Sequence, residues 1–144
     1  ELFAVVGMVT ADHEARTVGV VYKVMDGKLV IGTGKDTWKA RHIRQNPHVS
    51  VTVPIAKRVP IMPWMKIPQA TITFSGEASV IEAGEAPEGK LRALFLQGSE
   101  DEEMMADMCL IEIRPVGEFI TYGVGVPLMA MRTPEKARGR APVA

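Results

Sequence analysis

The chain has 144 residues with 17 basic and 17 acidic side chains, so it lacks the overall positive field that nucleic-acid and membrane-surface proteins use. Hydrophobic residues make up 47% and charged residues 24%, the balance of one soluble domain, and no apolar run approaches the roughly 20 residues of a membrane span. Cys109 stands alone, which excludes an internal disulfide and fits a reducing, cytoplasmic setting, while His13, His42 and His48 lack metal-ligand spacing, so no metal site is expected.

Valine, isoleucine and threonine gather in short runs bounded by glycine, proline or charged residues, which predicts a mainly antiparallel β domain. Strands are expected over 2–10, 17–24, 28–33, 49–54, 70–82, 109–115 and 118–124. Seven strands imply a barrel or a sandwich. Asp26 and Gly27 in "MDGK" favour a tight turn with positive φ, which makes a hairpin of the second and third strands.

Three helices are expected. The first runs from a cap at Asp36 or Thr37 to Asn46, where Asn-Pro stops it. The second, "PEGKLRALFLQ" over 87–97, puts Leu91, Leu94 and Phe95 on one face, and the third follows a Ser99/Glu102 capping box into "MMADM". These two are expected to lid the barrel. From Val126 three prolines and a local positive excess interrupt any periodicity, so the chain divides into a domain over 1–125 and an extended tail over 126–144. Leu128, Met129 and Met131 of that tail either lie on another subunit or fray. Its short "KARGR" cluster is too little, on a neutral domain, to predict nucleic-acid binding.

The chemistry is concentrated in "GTGKDTWKARHI", residues 32–43. Gly32 and Gly34 allow close approach to the backbone, Thr33 offers a hydroxyl, and the unpaired N–H groups at the helix start carry roughly half a positive charge. Lys39 adds a full one, so an anion can be held without overall basicity. The same residues also read as a capped basic helix with a solvated face and with Trp38 and Ile43 in the core. Neither a P-loop nor a dinucleotide fingerprint is present.

The succession "TVGVVYKVMDGKLVIGT", "WKARHIRQNPHVSVTVP" and "ATITFSGEASVIE" resembles the pyridoxamine 5′-phosphate oxidase-like superfamily of flavin-binding split β-barrels, over residues 2 to about 123. Its specific part is T-x4-W-K-A-R-x-I-x-x-N-P-x-V-S, starting at Thr33. The resemblance implies a Greek-key-like split barrel with a few short helices, and a homodimer with FMN, or a deazaflavin in some branches, in the groove between subunits. By position, the backbone of Gly19, Val20 and Val21 would follow the isoalloxazine ring, and Gly32 and Thr33 would meet the ring or ribityl chain. Lys39 would pair with the phosphate, with Thr37 and the helix N–H groups completing that site.

Thr17 and Trp38 stand at cofactor-site positions where pyridoxamine phosphate oxidases carry arginine, which leaves Arg16 or Arg41 to supply charge. The terminal "ARGRAPVA" lacks the tryptophan and arginine pattern that grips the vitamin substrate, so pyridoxamine phosphate is not the expected substrate. The resemblance therefore implies a flavin-dependent oxidoreductase acting on another small molecule, with the chemistry in the cofactor and no side chain nominated as catalytic. A deazaflavin reductase, a flavin or haem binder without turnover, and a cofactor-free barrel are the alternatives.

Trp64, in the proline-rich loop over 57–69, either seals one barrel end or reaches across an interface. Thr71 either faces solvent or meets the ring edge. His42 is expected on the surface or in packing, His13 in solvent, and Cys109 in the core.

Overall fold

The computed structural model describes residues 3–57, 68–87, 90, 94 and 106–144. The helices expected over 87–97 and after Ser99 fall largely outside these residues, as does the loop carrying Trp64. The described strands are β1 (Phe3–Val9), β2 (Ala15–Val21), β3 (Lys23–Met25), β4 (Lys28–Gly34), β5 (His48–Ile55), β6 (Ala70–Glu82), β7 (Met108–Tyr122) and β8 (Arg138–Pro142). Helix α1 (Trp38–Gln45) follows β4, and a 3-10 turn (Leu128–Arg132) and helix α2 (Pro134–Ala137) precede β8.

All pairings are antiparallel, in the order β2-β1-β5-β6-β7-β4-β3, with β8 added to β7. The two ends of this path, β2 and β3, are separated in the chain by Tyr22 alone. Consecutive Cα atoms are only about 3.8 Å apart, so the sheet must curl until its ends nearly meet. That is a split β-barrel, as expected. The strand expected over 17–24 is thus two strands, because a run crossing the split changes partner: residues 15–21 pair with β1 and residues 23–25 with β4. The turn between β3 and β4 has the positive φ values expected of it, 52° at Asp26 and 73° at Gly27.

Two further differences concern β7. The strands expected over 109–115 and 118–124 form one strand, Met108–Tyr122. Gly117, with φ 76°, lies in a bulge where the register with β6 jumps from Ser75↔Val116 to Thr73↔Ile120. The "PVG" that reads as a turn is a kink within a strand. The second difference is the tail, which folds back where an extended segment was expected. β4 pairs with β7 only up to Leu29↔Ile113, which leaves the far half of that edge open, and β8 occupies it from Glu118↔Pro142 to Tyr122↔Arg138. Tyr122 donates its hydroxyl proton to the Met131 carbonyl at 2.8 Å, and Lys57 donates to the Val126 carbonyl at 2.6 Å. Met131 is buried, whereas Met129 is exposed.

Inward positions follow the period of two along each strand. Val6, Val20, Ile31, Val51, Phe74, Ile111 and Ile113 meet in one core, and Ile43 of α1 packs into it. Each such side chain stabilises the fold by about 1.5–3 kcal/mol relative to exposure. Val30 and Leu110 point the other way and are covered by a smaller cluster that includes Met25, Ile81 and Leu94.

Candidate functional site

The turn joining β4 to α1 is pinned from both sides. Lys35 donates its backbone N–H to the Asp107 carbonyl at 2.9 Å, and its ammonium pairs with the Asp107 carboxylate at 2.8 Å. Hydrogen bonding to that carboxylate, followed by its charge, raises the Lys35 pKa. On the other side Arg44 donates to the Lys35 carbonyl at 2.9 Å and pairs with Glu82. The peptide before the helix is therefore held in place by Asp107 on one side and Arg44 on the other.

Thr37, and not Asp36, occupies the N-cap position, with extended backbone. Its hydroxyl turns back to the Gly34 carbonyl at 2.9 Å instead of capping the helix, and the first turn contains no acidic residue. The first backbone bond of the helix is Arg41 N–H to the Thr37 carbonyl, so the N–H groups of Trp38, Lys39 and Ala40 have no acceptor among the described residues. Lys39, half-buried in this same turn, makes no hydrogen bond or ion pair among them either. Three aligned donors and one unengaged ammonium thus lie together at this corner.

The other nominated residues divide around this corner. Thr33 is 6% exposed and its hydroxyl lies 3.4 Å from that of Thr37, so it supports the turn from within; Gly32 beside it is half-buried. The Val20 side chain belongs to the core. Thr17, Gly19 and Val21 lie exposed on the outer face of β2. A Cβ at Gly19 would come within 2.8 Å of the Phe3 ring, so any other residue there would require that exposed ring to shift.

Trp38 bridges the two groups. It is 39% exposed, whereas a merely capped basic helix would place it in the core, and its ring meets that of His42 edge to face at 5.9 Å. Trp38, His42 and Thr17 line a cleft of about 470 Å³ with Thr10, Asp12, Glu14 and Arg16. The two positions at which arginine is expected by resemblance thus meet in one place. Arg16 also reaches the cleft, but Glu14 engages its guanidinium at 2.6 Å. Arg41 is exposed on α1 outside the cleft lining.

Sequence reasoning missed a row of small residues beside this cleft. Thr17, Gly7, Ser50 and Ser75 are consecutive register partners across β2, β1, β5 and β6, so all four face outward. They floor a groove of about 450 Å³ that shares Arg16 and Thr17 with the cleft. Outward-facing small residues were visible on each strand alone, but their alignment depends on register.

The curled antiparallel sheet, with a glycine-bounded turn feeding a short basic helix, defines a split β-barrel. Residues 3–121 match the family model described as pyridoxamine 5′-phosphate oxidase, and the chain belongs to that family. No curated protein matches the chain in sequence. Among solved structures, an F420 reductase superposes with a TM-score of 0.56 at 19% identity, covering 82% of this chain and 88% of its own. A pyridoxamine 5′-phosphate oxidase-related, FMN-binding protein from Nostoc punctiforme PCC 73102 gives 0.57 at 11% identity, covering 99% and 88%. A heme binding protein from Mycobacterium smegmatis gives 0.63 at 16% identity, with 97% of this chain matching 52% of that one. At these identities the likeness is one of fold.

Proposed function

We propose that the chain binds a flavin through its phosphate at the start of α1 and serves as an oxidoreductase for a small molecule. The observation that carries this reading is the anion-binding corner: the free N–H groups of Trp38, Lys39 and Ala40 and the unengaged Lys39 ammonium. The Thr37 hydroxyl, spent on Gly34, leaves those donors to a ligand. A phosphate fits this chemistry.

Among the described residues β2 pairs with β1 alone, so its other edge presents backbone donors and acceptors to the polar rim of a ring, while Gly19 keeps the surface low. The bound flavin would supply two-electron transfer to or from the substrate; the chain would anchor the phosphate, orient the ring and shield one side of it. We infer also that the cofactor groove is completed by a second copy of the chain on the outer sheet face, where Phe3 is 47% and Val21 70% exposed.

A deazaflavin is the second reading. It is favoured by the cleft at Thr17 and Trp38, which among the described residues contains no arginine free of a carboxylate to reinforce a phosphate site.

The test is a titration of the purified protein with FMN and with riboflavin, alongside Lys39→Ala. FMN binding that exceeds riboflavin binding, and that Lys39→Ala weakens by about tenfold, supports the phosphate corner. Equal binding of FMN and riboflavin, or no effect of the substitution, overturns it. Sustained oxidation of NADH or NADPH by the flavin-loaded protein separates an enzyme from a carrier.

A further inference from the structure

We propose that the charged cleft on the outer face of β6, β7 and β4 is a binding site for a small α-amino acid in its zwitterionic form. The site goes beyond the flavin reading and does not rest on it. Its volume is about 300 Å³, its lining includes Lys28, Glu77, Ser79, Glu112 and Arg114, and it shares no residue with the cleft at Trp38. Besides the His48 imidazole, its titratable groups form two ion pairs.

Strand register fixes how these pairs lie. Glu77↔Arg114 and Ser79↔Glu112 are partners of β6 and β7 two steps apart, so all four side chains leave the same face. Arg114 donates to the Glu77 carboxylate, and Lys28 donates to that of Glu112 at 2.7 Å. Lys28 adjoins Leu29, whose partner is Ile113, which sets it beside Arg114 across β4 and β7. The two cations are therefore neighbours, and the two carboxylates stand on a diagonal with their backbones about 7–8 Å apart.

Such a grid suits a ligand that carries both signs. Lys90 adds a bond to Glu112 at 3.0 Å and is itself balanced by Asp26 at 3.2 Å, so the fixed charges around the cleft sum to zero. A simple anion or cation meets as much repulsion as attraction there, whereas a dipolar ion lying antiparallel to the Arg114–Glu77 pair gains at both ends. Capacity for it remains: Glu77 uses one carboxylate oxygen and Arg114 one terminal nitrogen, and the exposed Ser79 hydroxyl has no partner among the described residues. Glu112 is buried at the base of the grid, and the Lys28 bond lowers its pKa, so one negative charge is held in place before a ligand arrives. The apolar lining is limited to Pro47 and Ala78, which selects a short side chain.

The experiment titrates the full, flavin-free chain with L-alanine and follows its backbone amide NMR signals. Propionate, which lacks the ammonium, and ethylamine, which lacks the carboxylate, are the two single-charge controls. L-Alanine is expected to shift the amides of Glu77, Ser79, Glu112 and Arg114 saturably, with each control binding at least about tenfold more weakly. Arg114→Gln and Glu77→Gln should each weaken L-alanine by roughly tenfold. Both side chains are exposed, so their replacement leaves the fold intact, which a thermal melt confirms. Propionate or ethylamine binding as well as L-alanine, saturable shifts centred elsewhere, no saturable shift, or full affinity in both variants overturns the proposal. Because no flavin is present, failure of the FMN titration does not affect it.

Discussion

Lys35 and Asp107 are joined twice, backbone N–H to carbonyl at 2.9 Å and ammonium to carboxylate at 2.8 Å, across the turn between β4 and α1. With Arg44 on the Lys35 carbonyl, this fixes the peptide that leads into the free donors of Trp38, Lys39 and Ala40.

The turn should therefore respond unequally to its two anchors. Asp107→Ala keeps the backbone acceptor and loses an exposed ion pair, and such pairs contribute little. Arg44→Ala removes both the bond to the Lys35 carbonyl and the link to Glu82. FMN affinity is expected to fall by roughly threefold to tenfold in Arg44→Ala and to stay near wild type in Asp107→Ala, with riboflavin binding the same in both. Because the folded Lys35 pKa is raised, its contribution is full below the ordinary lysine value and is lost only as pH rises through the higher folded value. The turn should be insensitive to pH across the neutral range.

A second network sets the acid limb of stability. Glu112 is 5% exposed and accepts bonds from Lys28 at 2.7 Å and Lys90 at 3.0 Å. The Lys28 bond, then that of Lys90, lowers the Glu112 pKa against the desolvation that would raise it. A depressed carboxylate contributes stability above its unfolded pKa and loses it as pH falls through the folded value. Glu112→Gln should cost about 1–3 kcal/mol at neutral pH. It should also flatten the fall of the urea midpoint between neutral pH and acid. An unchanged acid slope in the variant would count against this assignment.

Much of this architecture is legible because strands and turns are local. The Asp26-Gly27 turn, the Asn46-Pro47 helix stop and the inward alternation of β5 each follow from a few neighbouring residues. What the sequence hides depends on partners far along the chain. Gly117 reads as a turn because nothing nearby reveals that β6 continues opposite both halves of β7. Residues 138–142 read as a tail because the open edge they fill is made by β4 ending early. At the site, Lys39 and Thr37 are legible from their motif, whereas the meeting of Thr17 with Trp38 follows from barrel closure.

Cys109 illustrates a reading from local pattern that can be tested chemically. It is fully buried opposite Thr33, and burial pushes its thiol pKa up, so the nucleophilic thiolate is scarce. The native protein is expected to resist a disulfide reagent at mildly alkaline pH and to react with one equivalent once unfolded in urea. Rapid labelling of the native protein would mean that β4 and β7 separate readily at this point.

The outer sheet face carries the last prediction. Gly19, Val5, Thr52 and Thr73 form a register row across β2, β1, β5 and β6, and Phe3 and Val21 pair just beyond it. The Thr52 and Thr73 hydroxyls bond each other at 3.2 Å, so this stretch offers few groups that require water. A face with exposed Phe3 and Val21 is suited to a second copy, since both rings and branches are removed from water on pairing. Sedimentation should give twice the mass of one chain, and Val21→Glu, which buries a charge in the pair, should give a folded monomer. If the flavin groove needs both copies, FMN affinity falls with dimerisation in that variant while the Lys39 corner is untouched. A monomeric wild-type protein that binds FMN would overturn the shared groove and leave the phosphate corner standing on one chain.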